Sequence, residues 1–215
     1  MSPLKEPVNS ITHLIGAILS AAGLTWMIVK SVFHQSALQL TSAIIFGISM
    51  ILLYSASSIY HAVKSSKRVE TILRKIDHSM ILVLIAGTYT PVCLLALPRP
   101  MGLILLAVMW ILTALGILFR VFFLNAPRWL YTGFYVLMGW IAIFFVPSIY
   151  HNIAIQGFVL LIVGGTLYTV GAIIYAFKPR WLRIPHFGFH EIFHLFILGG
   201  SLSHFIMISR YLLIG

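Results

Sequence analysis

The stretch MGLILLAVMWILTALGILF, residues 101–119, carries no charged side chain and lies between Arg99 and Arg120. A helix crossing the hydrocarbon core of a bilayer needs about 20 mainly apolar residues. This stretch therefore reads as a transmembrane helix. Working outward from it, six more stretches qualify: about 9–29, 39–63, 76–97, 129–147, 153–177 and 190–212. Together they take up most of the 215 residues and leave no room for a soluble domain. The expectation is one all-α domain over 1–215, a seven-transmembrane helix bundle that is a multi-pass protein of the cell (inner or plasma) membrane.

Composition agrees. The chain is 60% hydrophobic and 8% charged, with mean hydropathy +1.04. Soluble domains carry about 25% charged residues. Proline and charge mark the breaks, as at Pro98-Arg99-Pro100, where proline disfavours helix just before it. The first span is not expected to be a cleaved signal, because its apolar run continues past Ala21-Ala22-Gly23 to Val29. A single cysteine, Cys93, excludes an intrachain disulfide framework and sets aside zinc fingers and iron–sulfur clusters built on cysteine.

Fourteen Lys and Arg against four acids give a formal charge of +10. Nucleic-acid binding wants such charges clustered on a solvated face. Here they lie in short gaps between apolar runs, so no nucleic-acid partner is expected. Topology accounts for them better. Numbering span ends alternately, one side holds Lys5, the five cations from Lys64 to Lys75, Arg120, Arg128, Lys178, Arg180 and Arg183. The other holds Lys30, Arg99 and Arg210. Short cytoplasmic loops are enriched in Lys and Arg. The N-terminus is thus expected in the cytoplasm and the C-terminus outside, opposite to rhodopsin-type receptors.

Ionisable groups inside spans are costly and usually functional. His61 lies just inside the end of the second span, and Asp77 and His78 open the third. His190, Glu191 and His194 open the seventh, while Glu6, Asn9 and His13 straddle the start of the first. All of these ends fall on the expected cytoplasmic side. Asn9 and His13, Ser57 and His61, and His190 and His194 are each i,i+4 pairs, which share a helical face. Two imidazoles at that spacing can bind one metal ion. A third from another helix would complete the three-ligand pattern of a catalytic zinc site. Imidazole suits zinc, and a set without sulfur points to hydrolysis. The run from His190 to His194 also spells H-E-x-x-H, the zinc-protease pattern with its glutamate as base. The plainer alternative is a pair of buried histidines hydrogen-bonded to neighbouring helices.

Other residues read as structure. His34 and His151 fall in or near outside loops, and Glu70 sits in a basic loop as exposed surface. His204 lies deep in the seventh span, and His186 is a loop residue or a rim contact to substrate. Trp129, Trp140 and Trp181 near span ends read as an aromatic belt. Gly164-Gly165 and Gly171 read as sites of close helix packing.

Glu6-x2-Asn9-x3-His13, Ser57-x3-His61 followed by Asp77, and His190-x3-His194 resemble the three signature motifs of the haemolysin III group. This is the bacterial branch of the progestin and adipoQ receptor family. Ala86-Gly87-Thr88-Tyr89-Thr90-Pro91 and the stretch from Gly164 to Phe205 are similar to the same group. The resemblance implies a seven-helix bundle with a zinc ion near the cytoplasmic leaflet, held by His61, His190 and His194. Asp77 would hold or activate water at the zinc, with Ser57 beside it, and Glu6, Asn9 and His13 would support the site. The third motif specifies only its two histidines. Glu191 is therefore open as a supporting partner, a base or a helix N-terminal charge. Kinship with alkaline ceramidases implies hydrolysis of a lipid amide or ester, with a role in membrane lipid homeostasis. The partners expected are membrane lipids, and a lipid amide or fatty acyl ligand within the bundle. The rivals are a membrane sensor, receptor or haemolysin with a structural zinc, and an intramembrane zinc protease.

Overall fold

A bilayer interior offers no water to a peptide group, so each span must satisfy its own backbone. The computed structural model describes residues 4–123, 126–179 and 187–213. Its helices are α1 (Pro7–Phe33), α2 (Ala37–Ala62), α3 (Lys67–Leu95), α4 (Arg99–Phe122), α5 (Arg128–Trp140), α6 (Val146–Asn152), α7 (Ile155–Phe177) and α8 (Phe189–Met207). A 3-10 turn, Ile141–Phe145, joins α5 to α6 into one composite span, and a π turn, Ile208–Leu212, closes α8. Among the described residues, seven spans are helical, long and apolar enough to cross a membrane. Trp181 and His186 lie outside the described residues.

Two helix boundaries differ from the hydropathy reading. α3 begins at Lys67, well before the apolar run at 76, so most of the expected loop 64–75 is helix. The cause is capping: the Ser66 side chain accepts from the Val69 N–H at 3.4 Å, and Glu70 occupies the first turn. Glu70 is accordingly no loop residue, and it pairs with Lys5 at 3.3 Å. The fifth span runs on past 147 to Asn152, taking in residues expected as a break.

α3 is the inner helix, packed against α2, α4 and α5, while α1 leans on α2 and α8, and α7 on α8. Small residues allow this. A Cβ at Gly87 would collide with Ser49 of α2, one at Gly164 with the His204 ring, and one at Gly171 with Phe196. Gly165 differs from the packing expectation, since a Cβ there meets nothing within 4 Å. It borders a cavity instead. Reciprocal bonds between Ser10 and Ser58 set the register of α1 on α2: each hydroxyl donates to the other's carbonyl, at 3.2 and 2.9 Å.

The break in the fifth span frees backbone groups in the bundle, and Tyr89 takes them up. Its hydroxyl donates towards the Met138 and Gly139 carbonyls at 3.0 and 2.8 Å, and accepts from the Ala142 N–H at 2.7 Å. Trp140 stands at this break, in the middle of the span, and donates to Thr169 of α7 at 2.9 Å. It is a cavity-lining cross-link rather than a member of an interfacial belt.

A histidine cluster at the head of an apolar cavity

The odd-numbered spans start, and the even-numbered spans end, at the same face of the bundle, which brings four helix ends together. The backbone of Lys5 and Glu6 donates to the Ala62 and His61 carbonyls at 3.2 and 2.9 Å. That tie lays the Glu6 side chain against His61, where its Oε2 meets Nδ1 at 2.6 Å. The same contact is the main cause that holds the Glu6 carboxyl down to about 2, against the opposing effect of burial.

With Nδ1 engaged, His61 keeps Nε2 free. This atom is buried and has no hydrogen-bond partner among the described residues, in a residue only 1% exposed. His190 and His194, one turn apart on α8, bring their Nε2 atoms to 3.1 Å of each other. Ligand atoms of His61, His190 and His194 all lie within 4.8 Å of one another, so this group could hold a metal ion. An unpartnered Nε2, two further imidazole nitrogens turned to the same point, and the absence of sulfur from the set fit zinc. A carboxylate that fixes the ring of one ligand is the usual outer support of such a site.

The supporting residues divide. Asn9 donates from Nδ2 to Glu6 at 3.1 Å and to Glu191 at 2.9 Å, joining the starts of α1 and α8. Glu191 uses its other oxygen to accept from the Gly188 N–H at 2.8 Å. Both oxygens thus serve the helix start and Asn9. His13 stacks on His194 with ring centroids 3.7 Å apart and 13° between planes.

Asp77 stands apart from the three imidazoles. It is buried in the wall of the same cavity, with Ser57 as its hydroxyl neighbour and His78 Nε2 3.8 Å away. His34 and His151 are exposed as expected. His204 does both things open to it, facing the cavity and setting Nε2 3.3 Å from the Leu161 carbonyl.

A cavity of about 760 Å³ extends from the histidines to Tyr168 and His204. Its wall also includes residues that the sequence reading passed over. Arg120 was counted among loop charges, yet it is 4% exposed in the last turn of α4, bonded through Nη2 to His78 Nδ1, with its guanidinium 4.1 Å from the Tyr131 ring. Its sequence signal is its setting, Leu118-Phe119 before it and Val121-Phe122-Phe123 after it.

A family described as "Haemolysin-III related" matches residues 1–205. The chain is 41% identical over 209 residues to "Hemolysin-3" of Bacillus cereus, covering 97% of this chain and 92% of that protein. It is 42% identical over 212 residues to "Hemolysin-3 homolog" of Bacillus subtilis (strain 168), covering 98% and 96%.

Proposed function

The chain belongs to the haemolysin-III-related family, as a multi-pass protein of the bacterial plasma membrane, and from that premise we propose a zinc-dependent hydrolase of a lipid amide or ester bond. The observation that carries the reading is the imidazole triad at the head of a large cavity, with the Asp77 carboxylate in the wall of that same cavity. Zinc held by His61, His190 and His194 would supply Lewis-acid polarisation of a carbonyl.

The rest falls to the chain's own side chains. Asp77 takes the proton of the attacking water at its carboxylate, and the water oxygen bonds the acyl carbon. The same proton goes to the amine or alcohol as its bond to that carbon breaks. The Ser57 hydroxyl positions that carboxylate. Glu6 fixes which nitrogen of His61 is free, and Asn9 and Glu191 hold the starts of α1 and α8 in register. The apolar wall takes an acyl chain, and its burial excludes bulk water. The N-terminus faces the cytoplasm, on the cation asymmetry between the two faces, so the cavity is filled from the inner leaflet.

The protease reading needs Glu191 free to act as base, and its oxygens are taken by Asn9 and Gly188. Three variants separate the readings. His61→Ala should abolish stoichiometric zinc in the purified protein; retained zinc would sink the site. Asp77→Asn should keep zinc and lose hydrolysis across a panel of lipid amides and esters, whereas Glu191→Gln should keep both. Zinc at one per chain with no turnover of any lipid in the panel would make the zinc structural and the protein a sensor.

A further inference from the structure

The four acids of the chain are all accounted for. Glu70 pairs with Lys5, Glu6 with His61, and Glu191 with Asn9 and Gly188, while Asp77 has the His78 ring 3.8 Å away. Only Asp77 lies near the cations of the cavity, across His78 from Arg120. Arg74, Arg120 and Arg128 come from three different helices and line its histidine end, and none forms an ion pair with a carboxylate. Among the described residues, Nε of Arg74 and of Arg120 are buried without a hydrogen-bond partner. Arg128 lies over the Tyr175 ring at 4.6 Å, at the outer edge of the group.

A buried guanidinium without an anion is costly, and more so next to lipid. Among the described residues Arg120 touches an imidazole and a phenol ring, and meets the Asp77 carboxylate only across His78. A divalent ion on the histidines would add to the same positive end. One carboxylate across His78 against three guanidiniums leaves this end short of negative charge. Guanidinium forks favour phosphate and carboxylate oxygens, and forks converging from several helices suit the several oxygens of a phosphate. The cavity of about 760 Å³ reaches from these cations to apolar residues such as Leu84, Ile85 and Val92, which would suit a tail.

We propose that Arg74, Arg120 and Arg128 form a head-group site for a lipid bearing a phosphate, so that the substrate class is an anionic phospho-lipid with its phosphate on Arg120 and its acyl chain in the cavity. The inference rests on the hydrolase reading for the word substrate. The binding itself does not depend on turnover. The line from Arg120 through His78 to Asp77 would set the phosphate beside the proton-transfer carboxylate.

The test is retention of dioleoyl phosphatidate against dioleoylglycerol, which differ only in the phosphate, by purified zinc-loaded protein, read by native mass spectrometry. Inorganic phosphate alone forms a third arm. Wild type should retain phosphatidate over dioleoylglycerol. Arg120→Gln should weaken that retention about tenfold or more, since it deletes charged hydrogen bonds, while zinc stays at one per chain. Arg128→Gln, at an exposed position, should give a smaller loss, and exposed Lys67→Gln none. Equal retention of the two lipids overturns the proposal, as does undiminished phosphatidate on Arg120→Gln. Inorganic phosphate that binds as well as phosphatidate overturns the lipid source. Loss of zinc in His61→Ala with the phosphatidate preference intact shows the two sites failing separately.

Discussion

Glu6 decides which nitrogen of His61 is available, because an imidazole held at Nδ1 by a carboxylate presents Nε2 with a fixed ring angle. Glu6→Gln keeps a partner of the same shape but removes the charge that makes the ligand more basic. Loss of such an outer partner typically costs about 10–100-fold in metal affinity. We expect a drop of that order in competitive zinc titration, with the helix content unchanged. An affinity equal to wild type would assign Glu6 a role in tying α1 to α2 alone. The histidines were legible in the sequence because i,i+4 spacing is a geometric statement about a helix face. Arg120 was not, since a charge near a span end reads equally well as loop or as lining. Only the tertiary placement beside His78 and Tyr131 tells the two apart.

At the scale of elements, hydropathy located the spans and said little about their ends. Ser66 and Glu70 start α3 about two and a half turns before its apolar run, a capping effect that a hydropathy window averages away. The composite fifth span was equally illegible, because its stability depends on a phenol from another helix. Tyr89→Phe would leave the Ala142 N–H and the two carbonyls without their side-chain partner. An unsatisfied buried polar group costs about 1–3 kcal/mol. The variant should lose that much in thermal unfolding in detergent, with the fifth span the first segment to exchange its amide hydrogens. An unchanged melting temperature together with unchanged exchange would show that the 3-10 turn closes its own bonds.

For the whole molecule, the proposed orientation follows from where the cations lie. Eleven of the fourteen cations belong by sequence to the histidine face, but the fold removes some from that face's surface. Arg120 is turned into the cavity, and Lys5 is matched by Glu70. The far face loses one too, since Lys30 donates to the Ser209 carbonyl at 2.6 Å and is tied to the end of α8. The asymmetry survives these corrections, and charges near span ends set orientation as the chain inserts, before the bundle packs. A cysteine-free background, Cys93→Ser, lets the two faces be told apart. His34 and Ser65 are exposed in turns at opposite faces, so each accepts a cysteine without disturbing packing. In intact cells, a membrane-impermeant maleimide should label His34→Cys and reach Ser65→Cys only after lysis. The reverse pattern would turn the bundle over. It would then place the histidine cluster and its arginines at the outer leaflet, where a lipid substrate would have to be drawn from a different pool.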